Sequence, residues 1–247
     1  MIDKTVPDLA SAVAGIADGA TVMIGGFGRA GQPVELIDAL IAHGAGDLTV
    51  VNNNAGNGDT GLAALLAAGQ VRKMICSFPR QSDSWVFDGL FRDGKVELEL
   101  VPQGNLAERI RAAGAGIGGF FTPTGFGTQL AEGKETRRID GRDYVLEHPI
   151  HADAALISAR AADRWGNLVY RETARNFGPI MAAAAATTIV QVDEVVELGS
   201  LDPESVVTPG VYVDRVVAVG ERRWLRDGVF VGGVDIEGRA LASEEEK

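Results

Sequence analysis

Thiol chemistry is nearly missing from this chain. One cysteine, Cys76, occurs in 247 residues, so an intramolecular disulfide is impossible and a reducing compartment, the cytoplasm, is the natural setting. Cys76 lies in the apolar run Lys73-Met-Ile-Cys-Ser-Phe78 and reads as a buried strand residue rather than a reactive thiol. Long hydrophobic runs are missing too. The most apolar stretch, 179–190, is too short to cross a bilayer, and the first ten residues lack the apolar core of a secretion signal. Basic charge is scarce: 23 Lys and Arg face 34 Asp and Glu, for a net charge of −11. That balance argues against nucleic acid, but an anionic small ligand needs only a local basic or N–H-lined pocket. There is no G-x-S-x-G, no H-E-x-x-H and no C-x-x-C. His148 and His151 stand in an extended stretch that contains a proline, which does not suit a metal site, and none is expected.

What is present is a large apolar fraction, 46%, and 32 glycines without low-complexity tracts or repeats. Short β-rich runs alternate with helical patterns. Strands are expected at 20–24, 48–51, 73–78 and 96–101, with helices at 33–43, 61–69, 82–92 and 105–113. Pro33 sits near the first helical position, and Asn105 with Glu108 looks like a capping box. The alternation predicts an α/β fold: an open, mainly parallel sheet with helices on both faces. The middle, 114–149, breaks the pattern with Gly, Thr and charge, and reads as loops plus a hairpin over 137–146 turning at Asp140-Gly141. The α/β pattern resumes with strands at 154–158, 187–192 and 212–219. No linker is evident.

Three turns stand out. Gly25-Gly-Phe-Gly-Arg-Ala-Gly31 joins the first strand to a helix, and part of it matches G-x-G-x-x-G. Glycines admit close approach of a ligand, and free N–H groups at a helix start favour an anion. A dinucleotide site would also need an acid at the end of strand two, where this chain has Asn52-Asn53-Asn54 instead. A plain glycine-rich connector is the other alternative. The Asn run offers donors and acceptors at a strand end, as a site or as a turn. Gln103, in Val101-Pro-Gln103-Gly-Asn105, would offer a donor to a developing oxyanion, or simply follow a strand. If the strands are parallel, all three turns share one edge of the sheet.

The run from Asp18 to Pro33, with its Gly25-Gly-Phe core, resembles the long signature of the alpha subunits of class I CoA-transferases. The resemblance extends to Asn53-Asn-Ala-Gly56, Pro102-Gln-Gly-Asn-Leu-Ala-Glu-Arg-Ile110, Thr122-Pro-Thr-Gly-Phe-Gly-Thr128, Glu132-Gly133, Asp163-Arg-Trp-Gly-Asn167 and Ala174-Arg-Asn-Phe177. It spans 1–220 as one domain and leaves 221–247 as a C-terminal extension without an assigned role. The run 76–87 is similar to members acting on 3-oxoadipate; acetoacetate and butyrate types share the main motifs.

This resemblance implies the CoA-transferase fold and an exchange of CoA between succinyl-CoA and a 3-oxoacid. No cofactor is bound permanently, and the CoA thioester is a substrate. The covalent nucleophile of such two-subunit enzymes is a glutamate in a Glu-Asn-Gly motif of the beta subunit. This chain contains no such motif, so the resemblance implies a CoA-transferase beta subunit as partner, in a heterodimer or heterotetramer, and no catalytic nucleophile here. By the same resemblance Gly25, Gly26, Phe27, Gly28, Arg29, Ala30 and Gly31 form the CoA-binding turn, and Asn53, Asn54 and Gln103 support the reacting carboxylate or thioester oxygen. Arg29 and Arg80 are candidates for pairing with a second carboxylate, with ordinary surface roles as the alternative. A ligand-binding module without catalysis is the reading of a different class.

Overall fold

The computed structural model describes residues 2–81 and 83–220, so the 221–247 extension and Ser82 lie outside the described residues. The chain opens with α1 (Leu9–Val13), capped by Asp8, whose carboxylate accepts from the Ser11 amide at 2.7 Å. Four β–α units follow: β1 (Thr21–Ile24), α2 (Val34–His43), β2 (Leu48–Val51), α3 (Leu62–Ala67), β3 (Val71–Cys76), α4 (Trp85–Arg92), β4 (Glu97–Leu100) and α5 (Gln103–Gly114). A small antiparallel sheet comes next, ordered β5 (Phe120–Thr122), β7 (Arg142–Glu147), β6 (Thr136–Ile139). The main sheet then resumes with β8 (Ala152–Asp163), β9 (Leu168–Val169), α6 (Gly178–Ala184), β10 (Ala185–Val196) and β11 (Arg215–Ala218).

The main sheet runs β11-β10-β8-β1-β2-β3-β4 with every neighbour parallel, and β9 folds back antiparallel on β8. Side chains alternate between two buried layers, as the strand period of two requires. Val22, Ile24, Leu48, Val50 and Met74 pack with Leu36, Leu40, Leu66 and Phe87 of α2, α3 and α4. Met23, Val51 and Ile75 face the other way, onto Leu106 and Ile110 of α5 and Met181 of α6. Both faces are therefore covered, as expected. Cys76 is fully buried, and desolvation pushes its thiol up to about 12, so it packs and does not react.

Several local expectations are corrected. Pro33 does stand next to the first helical position of α2, as its cap, and the helix begins one residue later than expected, at Val34. The first-turn amide of Leu36 is filled from across the sheet by Gln191 Oε1 at 2.9 Å, so this helix start is not an open anion site there. The β5 strand has no counterpart in the sequence pattern because three residues show no period. The Ala-rich β8 outruns its expected length because it pairs with β10 from Ala152↔Ala185 to Asp163↔Val196, and pairing overrides propensity. The hairpin turn holds: Asp140 and Gly141 both have positive φ, 48° and 79°, as a two-residue turn demands.

The expected capping box at Asn105 does not form, since α5 already starts at Gln103. The Asn105 side chain is buried instead, reaching Thr124 O at 3.3 Å and Glu147 Oε1 at 3.4 Å. Glu147 is a buried carboxylate, and a buried charge must collect donors. It takes Lys134 Nζ at 2.7 Å and sits 3.8 Å from Arg109 Nε. Arg109 also pairs with Glu99 at 2.9 Å, which Lys73 holds at 2.5 Å from the other side. This chain of charges ties the small sheet to α5 and to the sheet edge.

Burial pushes the Glu99 carboxyl up, but the bonds from Lys73 and Arg109 outweigh it and hold it below its usual range. A lowered folded value means that the stabilisation is complete above the ordinary carboxylate value of about 4.3 and is lost as pH falls through the folded value. Glu99→Gln is expected to lower the urea midpoint near neutral pH and to converge on the parent protein in acid. A constant gap between the two at every pH would contradict this. Gln191→Ala, which strips the buried Leu36 amide of its acceptor, is expected to cost about 1–3 kcal/mol in urea unfolding.

Candidate active site

Open parallel sheets bind ligands beyond the carboxyl ends of their strands, where the strand order reverses. Here the reversal lies at β1: the chain moves outward through β2, β3 and β4 on one side and through β8, β10 and β11 on the other. All three turns singled out in the sequence lie at that carboxyl edge.

The three asparagines have different jobs. Asn52 is fully buried and ties the strand ends together, with Nδ2 donating to Ile24 O at 2.6 Å and Oδ1 accepting from the Asn54 amide at 2.9 Å. Asn53 is held by its oxygen. Its Oδ1 accepts from Ser77 Oγ at 2.8 Å and from Gln103 Nε2 at 2.9 Å. Its backbone oxygen accepts from the amides of Ser77 and Phe78 at 3.1 and 3.0 Å. Two donors on Oδ1 fix the orientation of the amide, so Nδ2 is the group left to donate. Asn54 is 1% exposed; its Nδ2 lies 3.4 Å from Asn57 Oδ1, and its own Oδ1 has no partner among the described residues. A buried polar atom without a partner is rare and costly, and this one, an acceptor, could be satisfied only by a donor.

Three adjacent strand ends thus converge on one amide: Asn53 after β2, Ser77 after β3, Gln103 after β4. The sequence points to Asn53 and Gln103 but not to Ser77. A hydroxyl directly after a buried strand, next to two other candidate turns, is the signal that would have found it. Gln103 spends one amide hydrogen on Asn53 and is otherwise exposed at the start of α5.

The glycine turn is built differently from a phosphate cradle. Phe27 and Ala30 exchange backbone hydrogen bonds at 3.0 and 3.2 Å, closing a two-residue hairpin with Gly28 at φ 61°. Asn176 clamps it: Oδ1 accepts from the Gly26 amide at 3.2 Å, and Nδ2 donates to Ala30 O at 2.9 Å. Gly31, at φ 75°, lies so close to the 172–177 segment that a Cβ would stand 2.1 Å from Ala174 O. The glycines serve this docking, and the 174–177 motif, to which the sequence alone assigns no role, supplies the clamp. Phe27 is half exposed and Arg29 is exposed on the tip. The amides of Gly28 and Arg29 have no protein acceptor among the described residues. Arg80, by contrast, is engaged by Asp88 at 2.8 Å. Among the described residues no group of His, Cys, Asp or Glu could hold a metal, and no helix is long and apolar enough to cross a membrane.

The coenzyme A transferase sequence profile matches residues 6–219. The chain belongs to the coenzyme A transferase family. It is 72% identical, over 219 residues, to the alpha subunit of the 3-oxoadipate CoA-transferase of Pseudomonas putida, covering 89% of this chain and 95% of that one. It is 51% identical over 223 residues to the alpha subunit of the succinyl-CoA:3-ketoacid coenzyme A transferase of Xanthomonas campestris pv. campestris strain B100, covering 89% and 91%. Among solved structures, glutaconate coenzyme A-transferase of Acidaminococcus fermentans shares the fold, with a TM-score of 0.78 at 22% identity over 88% of this chain and 76% of that one. An acyl-CoA transferase of Escherichia coli O157:H7 superposes with a TM-score of 0.82 at 24% identity over 92% of this chain, which spans 52% of that longer protein. The G-x-G-x-x-G spacing therefore occurs here in a member of the coenzyme A transferase family.

In this coenzyme A transferase chain, Gly31→Ala combines a positive φ with a backbone clash, so neither neighbour yields cheaply. It is expected to destabilise by about 2 kcal/mol or more in urea unfolding and to increase proteolysis near the turn.

Proposed function

We propose that this chain is the alpha subunit of a 3-oxoadipate CoA-transferase, active with a beta subunit that carries the nucleophilic glutamate. The observation that carries the chemistry is the Asn53 amide, fixed through its oxygen by Ser77 and Gln103 so that Nδ2 is left to donate. The choice of acid rests on likeness to two proteins of that name, 72% and 68% identical.

In this reading the partner's glutamate attacks the thioester carbon of succinyl-CoA. The carbonyl oxygen gains charge, then collapses to expel CoA thiolate and leave a mixed anhydride. The thiolate attacks the glutamyl carbonyl, releasing succinate and forming a glutamyl-CoA thioester. The 3-oxoacid carboxylate then reverses both steps and leaves as its CoA thioester. No electrons are exchanged with a cofactor and no water is consumed. Asn53 Nδ2 and the free amide hydrogen of Gln103 would stabilise the developing oxyanion or position the acid carboxylate, and Asn54 would add only the Nδ2 hydrogen not directed at Asn57, because its unpartnered Oδ1 is an acceptor. A well-placed donor of this kind contributes about 2.7–4 kcal/mol. The amides of Gly28 and Arg29, with the exposed Phe27 ring, would meet the CoA moiety. The protein would work in the cytoplasm, on small-molecule substrates and without a resident cofactor.

The expected outcome with succinyl-CoA is no turnover by this chain alone, and turnover on adding the beta subunit, with 3-oxoadipate preferred over acetoacetate. In that complex Asn53→Ala is expected to lower kcat by about 10²–10³ while the subunits still associate. A preference for acetoacetate would move the protein to the 3-ketoacid type. Turnover by this chain alone would place the nucleophile here and sink the split site. A complex that binds CoA thioesters without transfer would favour a binding module.

A further inference from the structure

The proposed acceptor carries a second carboxylate that takes no part in the transfer. We propose that Arg29 reads that carboxylate and so selects a dicarboxylic acid over a simple 3-oxoacid, an inference that rests on the 3-oxoadipate reading above. Arg29 stands on the tip of a turn that is fixed at both ends, by the Phe27–Ala30 backbone bonds and by Asn176. Its backbone position is therefore set before any ligand arrives, while the exposed side chain is free to meet one. The guanidinium lies over the loop that leaves Asn54: a Cβ on Gly58 would stand 3.5 Å from Arg29 Nη2. That loop is itself pinned, with Gly58 N donating to Asp83 O at 2.9 Å and Asn57 Nδ2 to Asp83 Oδ1 at 2.5 Å. The cation thus overhangs the residues just beyond the Asn53–Asn54 amides, with glycine below it leaving room.

Charge points the same way. Lys73 and Arg109 are engaged by Glu99, Lys134 by Glu147, and Arg80 by Asp88. Among the described residues neither Arg29 nor Arg175, beside the Asn176 clamp, has a carboxylate within ion-pairing distance, and it is the place of Arg29 over the loop leaving Asn54 that selects it. A chain of net charge −11 repels a dianion unless a local cation offsets it. Five carbon–carbon bonds of about 1.5 Å each put the two carboxylate carbons of extended 3-oxoadipate about 6 Å apart. A guanidinium fork binds such a free carboxylate in two parallel bonds, which an ammonium does not reproduce.

The test uses the complex with the beta subunit and three variants: Arg29→Met, Arg29→Lys and, as a control already engaged elsewhere, Arg80→Ala. Arg29 holds no described side chain in place, so its variants are expected to fold. In ping-pong kinetics, kcat/KM for the acid reports only the second half-reaction. Arg29→Met is expected to lower kcat/KM for 3-oxoadipate at least about tenfold and leave that for acetoacetate within about twofold, the loss expected of a forked ion pair. Arg29→Lys should recover part of the loss, and Arg80→Ala should behave as wild type. An equal loss for both acids overturns the inference. So does a loss of kcat/KM for acetoacetyl-CoA, a thioester without a second carboxylate, because Arg29 would then hold the CoA moiety. If the unaltered complex does not use 3-oxoadipate, the functional reading fails first and this inference with it. If it does and the selectivity of Arg29→Met is unchanged, only the inference fails.

Discussion

Two parallel strands cannot be joined by a tight turn; each needs a crossover that carries the chain back to the same starting edge. That constraint governs this molecule. Every strand pair of the main sheet is parallel except the short β9 return, so the carboxyl ends of the seven parallel strands fall at one edge. Residues 50 positions apart, such as Asn53 and Gln103, become hydrogen-bond partners because β2 and β4 flank β3 and end level with it. The apolar alternation of the strands supplies the energy, burying one set of side chains under α2, α3 and α4 and the other under α5 and α6.

Around that edge the polar groups divide between holding and offering. Asn52, Asn176 and Gln191 are committed to backbone groups of other segments. Each satisfies donors or acceptors that a crossover turn would otherwise leave bare in the interior, where an unpaired group costs about 1–3 kcal/mol. Asn53 is turned by the same logic, but only through its oxygen. Rigidity and availability thus come from one residue, which is what a pre-organised donor needs. The glycine turn follows the rule as well: its backbone is locked from behind by Asn176, and its tip is what remains exposed.

The charged network runs along a different line. Glu99 and Glu147 sit between the main sheet and the small antiparallel sheet, joined through Arg109. A buried ion pair contributes little net stability over an apolar pair, but it penalises any docking that separates the charges. The small sheet carries the 122–128 loop, and Asn105 joins that loop to the first turn of α5 two residues from Gln103. Placement of the small sheet and placement of Gln103 are therefore coupled.

By itself the sequence determined the α/β class, the strand and helix cores, the Asp140-Gly141 turn and the three turns that meet at the carboxyl edge of the sheet. Hydrophobic period and turn chemistry are local properties, and a long signature is read along the chain. Tertiary structure alone decided what the side chains in those turns do. The Asn105 capping box was a sound local reading, lost because α5 starts two residues earlier, at Gln103, which leaves the Asn105 side chain to turn inward toward Glu147, 42 residues away. Arg80 was separated from Arg29 only by the presence of Asp88. Ser77 and Asn176 acquired roles only when other strand ends were brought against them. In each of these pairings the partner lies outside the local pattern, and desolvation at the point of contact selects which of several possible hydrogen bonds is made.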